Sequence, residues 1–137
     1  TLPMRSRKLL LGILSVAFFV SCLQGISFFA REYQKEGVTC NTEGPFGVQV
    51  SLWLLLIIFF GAAWFFLRQW WKEEEKRRAF FWLLLMAAGA SNLMERLFFG
   101  CVFDFLALPF LPLFNVADVV LTVSVIFLLW WEVRRTP

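Results

Sequence analysis

The chain has 137 residues, 60% of them hydrophobic and only 17% charged, with a mean hydropathy of +0.72 and a formal net charge of +3. A soluble domain of this size has no core that could hide so much apolar surface, so a bilayer must act as its solvent. The chain has no histidine, which excludes Ser/His hydrolysis and the usual Cys/His zinc sets, and its small basic excess sits in clusters flanking apolar runs, which argues against a nucleic-acid partner.

Crossing ~30 Å of hydrocarbon takes about 20 apolar residues in a helix. The first such run covers roughly residues 9–30 and follows Arg5, Arg7 and Lys8. Its Phe19-Val20-Ser21-Cys22 stretch loosely resembles a lipoprotein cleavage site, but the apolar run continues through Ile26, Phe28 and Phe29, so a retained transmembrane helix is expected. The residues before Met4 are expected to be an added remnant. An outer segment of about 31–47 carries Arg31, Glu32, Lys35, Glu36, Cys40, Asn41 and Glu43, and leads into a second run at roughly 48–67. The stretch Lys72-Glu-Glu-Glu-Lys-Arg-Arg78 mixes charge signs and reads as a solvated turn extending the two helices beside it.

A third run, roughly 79–99, ends in the polar cluster Asn92, Glu95 and Arg96, and Glu95 is expected to snorkel to the interface. Asp104 lies in the short return that follows, and the fourth run, roughly 114–133, opens on Asn115 and Asp118. Ten of the thirteen Lys and Arg residues flank the start of the first run, the turn between the second and third, and the end of the fourth. Five of the seven tryptophans (Trp70, Trp71, Trp82, Trp130 and Trp131) share that end. Basic residues are retained on the cytoplasmic side and Trp anchors at the interface, so both signals predict four spans with both termini cytoplasmic. The whole chain, 1–137, reads as a single membrane-embedded domain. Cys40 and Cys101 fall on the outer side and could bridge; their separation in space is not readable from sequence.

Asp104 and Asp118 are the only two aspartates. At 1.5 Å per residue, Asp118 should lie ~6 Å into its helix from the outer end, and Arg96 about 26 Å along the third helix from its inner end, which is a similar depth. Asn92 lies one turn before Arg96, and Asn115 one turn before Asp118. Carboxylates at that depth are costly without a role. Two close carboxylates can share a proton, one serving as acid while the other acts as base on a water, as in aspartic proteases; no metal or cofactor is needed. A Ser/Lys pair would have only Lys35 to draw on. Asn92 and Asn115 could instead be interhelical hydrogen-bond glue, a common but here less favoured use of amides in membranes. A proton-relaying transporter would use the same acids, but four short spans without an internal repeat disfavour it.

These residues stand in two blocks, GASNLMERLFFGCVFDF (89–105) and FNVAD (114–118), and through them the chain resembles the lipoprotein signal peptidases, or signal peptidase II. In that family the first block reads roughly Asn-x-x-Asp-Arg followed by Gly-x-Val-x-Asp-Phe, and the second Phe-Asn-x-Ala-Asp. The resemblance implies that Asp104 and Asp118 are the catalytic dyad, and that Asn92, Arg96 and Asn115 support the dyad or the substrate. CNTEGPFG (40–47) loosely resembles an Asn-x-Gly-Ala-Ala-Phe segment of the family, with Asn41 and Phe46 at the same five-residue separation and the glycine displaced to Gly44, which adds Asn41 to the supporting residues. It further implies a four-helix all-α membrane fold with room for a small β element in the first outer segment. The implied reaction, at the outer face of a bacterial cytoplasmic membrane and among its lipids, is cleavage of a prolipoprotein before its diacylglyceryl-modified cysteine. The chain departs from the family where Leu23-Gln24-Gly25-Ile26-Ser27 replaces the usual Asp-Gln-x-Thr-Lys and where Glu95 replaces an Asp. Those departures motivate an alternative, a catalytically silent relative that binds signal peptides or scaffolds a partner.

Overall fold

The computed structural model describes residues 3–34, 36–43 and 49–135. Lys35, Gly44 and Phe46, which enter the expectations above, lie outside them. Four helices run α1 (Met4–Tyr33), α2 (Leu52–Lys72), α3 (Lys76–Phe99) and α4 (Val116–Arg135). Two three-residue strands, β1 (Thr39–Asn41) and β2 (Val102–Asp104), pair antiparallel with Thr39 opposite Asp104 and Asn41 opposite Val102. The expected β element therefore exists, and its second strand comes from the return before α4.

Three helices, α1, α2 and α4, are long and apolar enough to cross a membrane. The expected span at 79–99 coincides with α3, which is long but does not reach that apolarity because it carries Lys76, Arg77 and Arg78 at one end and Asn92, Glu95 and Arg96 at the other. Its position explains how those groups are tolerated. α3 packs against each of the other three helices, with Ala87 and Ala88 fully buried, while α1, α2 and α4 present leucines, phenylalanines and isoleucines outward. Small residues let neighbouring backbones approach closely where apolar burial drives nothing between helices.

The second helix starts later and ends later than the expected 48–67. Ser51 caps it, its hydroxyl accepting the Leu54 N–H (3.3 Å), and the helix then runs through Arg68 to Lys72 because nothing in Arg-Gln-Trp-Trp-Lys breaks it. α3 ends at Gly100, whose φ of +76° is the left-handed conformation that lets its N–H close back on the Arg96 carbonyl.

The basic ends of all four helices meet. Lys8 donates to the carbonyls of Trp71 (2.9 Å) and Glu73 (3.2 Å) and lies 5.2 Å from the Trp70 ring centre. Arg78 pairs with Glu73 (3.2 Å) and Glu132 (3.3 Å), tying α3 to α4, so the mixed-charge turn is a clamp as well as a solvated connection. Trp70 is the one buried residue of α2 and packs onto Gly12 of α1. A Cβ there would sit 2.5 Å from the indole. Gly12→Val is expected to displace Trp70 and cost about 1–3 kcal/mol, as overpacking does. A drop in thermal midpoint, read by intrinsic Trp fluorescence in detergent, checks it; an unchanged midpoint would mean the indole moves freely.

Candidate active site

At the opposite end of the bundle, four amide or carboxyl side chains from three elements surround Asp104. The local sequence dictates part of this. Asn115 is the N-cap of α4 and Asp118 stands three residues on, and the two bond reciprocally: Asn115 N donates to Asp118 Oδ2 (3.2 Å) and Asp118 N donates to Asn115 Oδ1 (3.0 Å). This is a capping box built with Asn and Asp, and it fixes both side chains against the positive end of the helix, where negative charge is favoured.

The remaining groups of Asn115 reach outward. Its Nδ2 donates to Asp104 Oδ1 (3.1 Å) and to Asn92 Oδ1 (3.2 Å), so one buried amide spends both donors and its acceptor within the cluster. Asn92 Nδ2 in turn donates to Asp118 Oδ1 (2.9 Å), and Asn41 Nδ2 donates to Asp104 Oδ2 (2.9 Å). All four oxygens of the two aspartates accept an N–H, and Asn115 touches both residues. Burial pushes the Asp104 carboxyl above the usual carboxylate range and nearby Asp118 adds to the rise, while the hydrogen bonds from Asn41 and then Asn115, and the charge of Arg96, pull the other way.

Five of the six expected site residues, Asn41, Asn92, Arg96, Asp104 and Asp118, line one groove of about 820 Å³ whose other walls are apolar side chains of α2, α3, α4 and the segment before α4. Asn115 stands behind it. Arg96 does not bond either aspartate; it donates to the carbonyls of Asn92 (3.4 Å) and Glu43 (3.2 Å), which ties the first outer segment to α3.

Glu95 corrects an expectation. It does not snorkel: it is 3% exposed, and its Oε2 accepts the N–H of Phe103 at 2.8 Å, the residue before Asp104. In the last turns of α3, where Ser91 is buried and Asn92 and Arg96 are half-buried, the interior offers a bonding partner that the interface side does not. Arg31 lies 4.6 Å and 4.5 Å from the Phe99 and Phe103 ring centres, a stacking that sequence reading reduced to topology. The helix-1 departures are also resolved in packing terms. Leu23 joins Ala88 and Ala117 in an apolar cluster, and Gln24 Nε2 donates to Ser91 Oγ (2.9 Å) and Ser91 O (3.0 Å). Ser27 lines a cavity of about 10 Å³ with Ser91, Glu95 and Asn115, room for about one water.

Cys40 and Cys101 are joined in a disulfide, with Cα atoms 5.4 Å apart, which settles the open question and locks β1 onto the turn before β2. Because Asn41 follows Cys40 directly, removing both sulfurs (Cys40→Ser with Cys101→Ser) is expected to free the Asn41 amide. Turnover should fall several-fold without being lost, measured beside the unreduced parent; equal rates would show that β-pairing alone holds Asn41.

Residues 11–134 match the family model described as Signal peptidase (SPase) II. The chain belongs to the signal peptidase II family. Two solved bacterial membrane enzyme structures resemble this signal peptidase II member, each at 21% identity over 91% of its length, with TM-scores of 0.80 and 0.78 over 88% and 94% of their own chains. They share its fold. No curated protein matches the sequence. Membership makes this a membrane peptidase of lipoprotein processing, and the motif blocks quoted above fall inside the matched residues.

Proposed function

We propose that this signal peptidase II member is an intramembrane aspartyl endopeptidase that removes signal peptides from diacylglyceryl-modified prolipoproteins, cutting before the lipidated cysteine with Asp104 and Asp118 as its dyad. The observation that carries the reading is the bridge. The chain's only two aspartates share Asn115, and both line an otherwise largely apolar groove.

The chemistry follows from where charge is held. In this reading Asp104, whose carboxyl burial pushes up, serves as the acid, and Asp118, at the start of α4, serves as the base. Asp118 takes a proton as water attacks the scissile carbonyl carbon, and Asp104 polarises the carbonyl oxygen. Collapse of the tetrahedral adduct breaks the C–N bond, and the proton on Asp118 passes to the departing amine. Held in hydrocarbon, the signal helix and acyl chains supply binding energy remote from the reaction and place the scissile bond at the dyad.

In this reading α3 is the fourth span. At 24 residues it reaches ~36 Å; Lys76 and Arg77 are exposed at its basic end, while Ser91 and Glu95 are buried and Asn92 and Arg96 half-buried against the rest of the bundle. The basic ends then lie in the cytoplasm and the dyad at the outer face of a bacterial cytoplasmic membrane, in line with the distribution of Lys and Arg.

Because the folded protein holds the Asp104 proton to higher pH than an ordinary carboxylate, turnover should persist past pH 4–5 and fall as pH rises through the raised value. Stability linked to Asp104 runs the same way, present below the unfolded value and lost through the folded one. Asn41→Ala, which removes the bond that lowers it most, should move the alkaline limb of kcat upward; a limb that stays in place assigns it to another group.

The direct test is cleavage by purified protein in detergent of one precursor with and without its diacylglyceryl group. Cleavage of the lipidated form alone is expected. Binding without cleavage would support the silent-relative reading, and equal cleavage of both forms would remove the lipid from the substrate definition.

A further inference from the structure

Between Asp104 and Asp118 the chain reads Phe-Leu-Ala-Leu-Pro-Phe-Leu-Pro-Leu-Phe-Asn-Val-Ala, thirteen residues without a charge. Segments outside the hydrocarbon in a membrane protein are ordinarily polar, because their backbone and side chains face water. Here the chain forms a closed loop instead. Phe105 N and Leu106 N both donate to Phe114 O (3.0 and 2.8 Å), and Phe114 N donates to Leu106 O (3.0 Å). At the tip Leu111 N donates to Leu108 O (3.2 Å) across Pro109 and Phe110.

That tip has the form of a type II turn, with proline second and a positive φ third, where glycine or asparagine is usual. The third residue is Phe110, at φ +70°. A bulky side chain in the left-handed region is strained, and such strain is held where it serves a purpose. Phe110 is fully exposed, and Leu108 and Leu111 on either side are more than half exposed. The turn thus places an aromatic ring outward at a conformational cost, flanked by two exposed leucines. The other face of the same loop, through Leu108, Leu111, Pro112, Leu113 and Phe114, is a wall of the groove that holds both aspartates.

We propose that the tip Leu108–Leu111 is a membrane-inserting wedge, its backbone at headgroup level and its side chains reaching into the acyl region of the bilayer that the helices cross. Its occupant is lipid hydrocarbon because the tip continues the outward apolar surface of that end of the bundle, where Leu97, Phe98 and Trp53 are also exposed, and because no charge within the loop would need water. Aromatic side chains are stable at the interface, where the Leu106–Phe114 bridge and the Leu108–Leu111 turn bond pair part of the loop's backbone and the water held among the headgroups serves the rest. The wedge gives the groove a lateral wall made partly of lipid-bathed side chains, so that an acyl-chain ligand passes from bilayer to groove without crossing water.

The test places a nitroxide on Phe110→Cys in a Cys22→Ser background, with the native disulfide left oxidised, in vesicles of phosphatidylethanolamine and phosphatidylglycerol. Collision rates with oxygen and with a water-soluble nickel chelate are compared against the same label on Glu43→Cys. The wedge predicts oxygen-dominated relaxation at Phe110 and nickel-dominated relaxation at Glu43. Equal nickel access at both sites overturns it, as does dipolar broadening between labels, which would mean that a second copy covers the loop. Phe110→Gly, which relieves the strained φ, supplies a readout that does not depend on the label: floating on lipid as before, it should lose several-fold in kcat/KM toward a vesicle-embedded lipidated precursor and keep its rate on one dispersed in detergent. An unchanged ratio between the two presentations also overturns the proposal.

Discussion

Asp104→Asn and Asp118→Asn are each expected to lower cleavage of a diacylglyceryl-modified precursor by about 10³-fold or more, since in the proposed mechanism each removes one partner of a proton-transfer pair whose members contribute about 10²–10⁴ apiece. The substitution is close to isosteric, but it is not silent in the resting site. Both oxygens of each aspartate accept an N–H, so a carboxamide must turn its own NH₂ toward another donor. That mismatch costs about 1–3 kcal/mol per site. It is small enough that the helices, the disulfide and the Arg78 clamp at the far end should still hold the fold. Thermal midpoint and monodispersity in detergent therefore belong beside the rate. A variant that keeps its midpoint to within a few degrees and still cleaves at a tenth of the parental rate would sink the dyad.

The second large effect is expected at Asn115, the residue that joins the two acids without being one. Asn115→Ala removes the cap of α4, about 1 kcal/mol, together with the bonds to Asp104 and Asn92. Loss of one buried donor that orients reacting groups commonly costs 10²–10³ in rate, and a fall in kcat of about 10² is expected here, with KM little changed because Asn115 stands behind the groove. Asn115→Ser separates the two roles. Serine caps a helix nearly as well but cannot span to Asp104, so the serine variant should recover most of the lost stability and little of the rate. Recovery of both would reduce Asn115 to a cap.

The helices and the polar cluster were legible in the sequence for different reasons. Twenty-residue apolar runs have one solution in a bilayer, so the spans near α1 and α4 came out within a few residues, whereas the start of α2 depended on the Ser51 cap, a local bond that hydropathy does not register. Asp104, Asp118, Asn92 and Asn115 stood out because polar groups at a shared depth are rare enough in such a chain to be counted singly. Glu95 was misjudged on the same logic. Depth alone cannot say whether a side chain turns to the interface or to a backbone N–H on another element, and it turned to Phe103. Arg96 was placed correctly beside the aspartates, but its partner, the Glu43 carbonyl, is a backbone atom and leaves no mark in the sequence. The strand pair and the disulfide join positions 61 to 65 residues apart, a separation over which one chain alone carries no pairing signal.

The pairing of β1 with β2 has a consequence for how the protein is made. Asn41 emerges early in synthesis, whereas Asp104, Asn115 and Asp118 follow only after two more helices. The site closes only if both connecting segments have been delivered to the same side of the membrane. A chain inserted with one of them on the wrong side has no Asn41 beside Asp104, and it cannot form the Cys40–Cys101 bond that fastens them. On the proposed function, correct threading is thereby a precondition of activity, and the peptidase stays inert until its own insertion is finished.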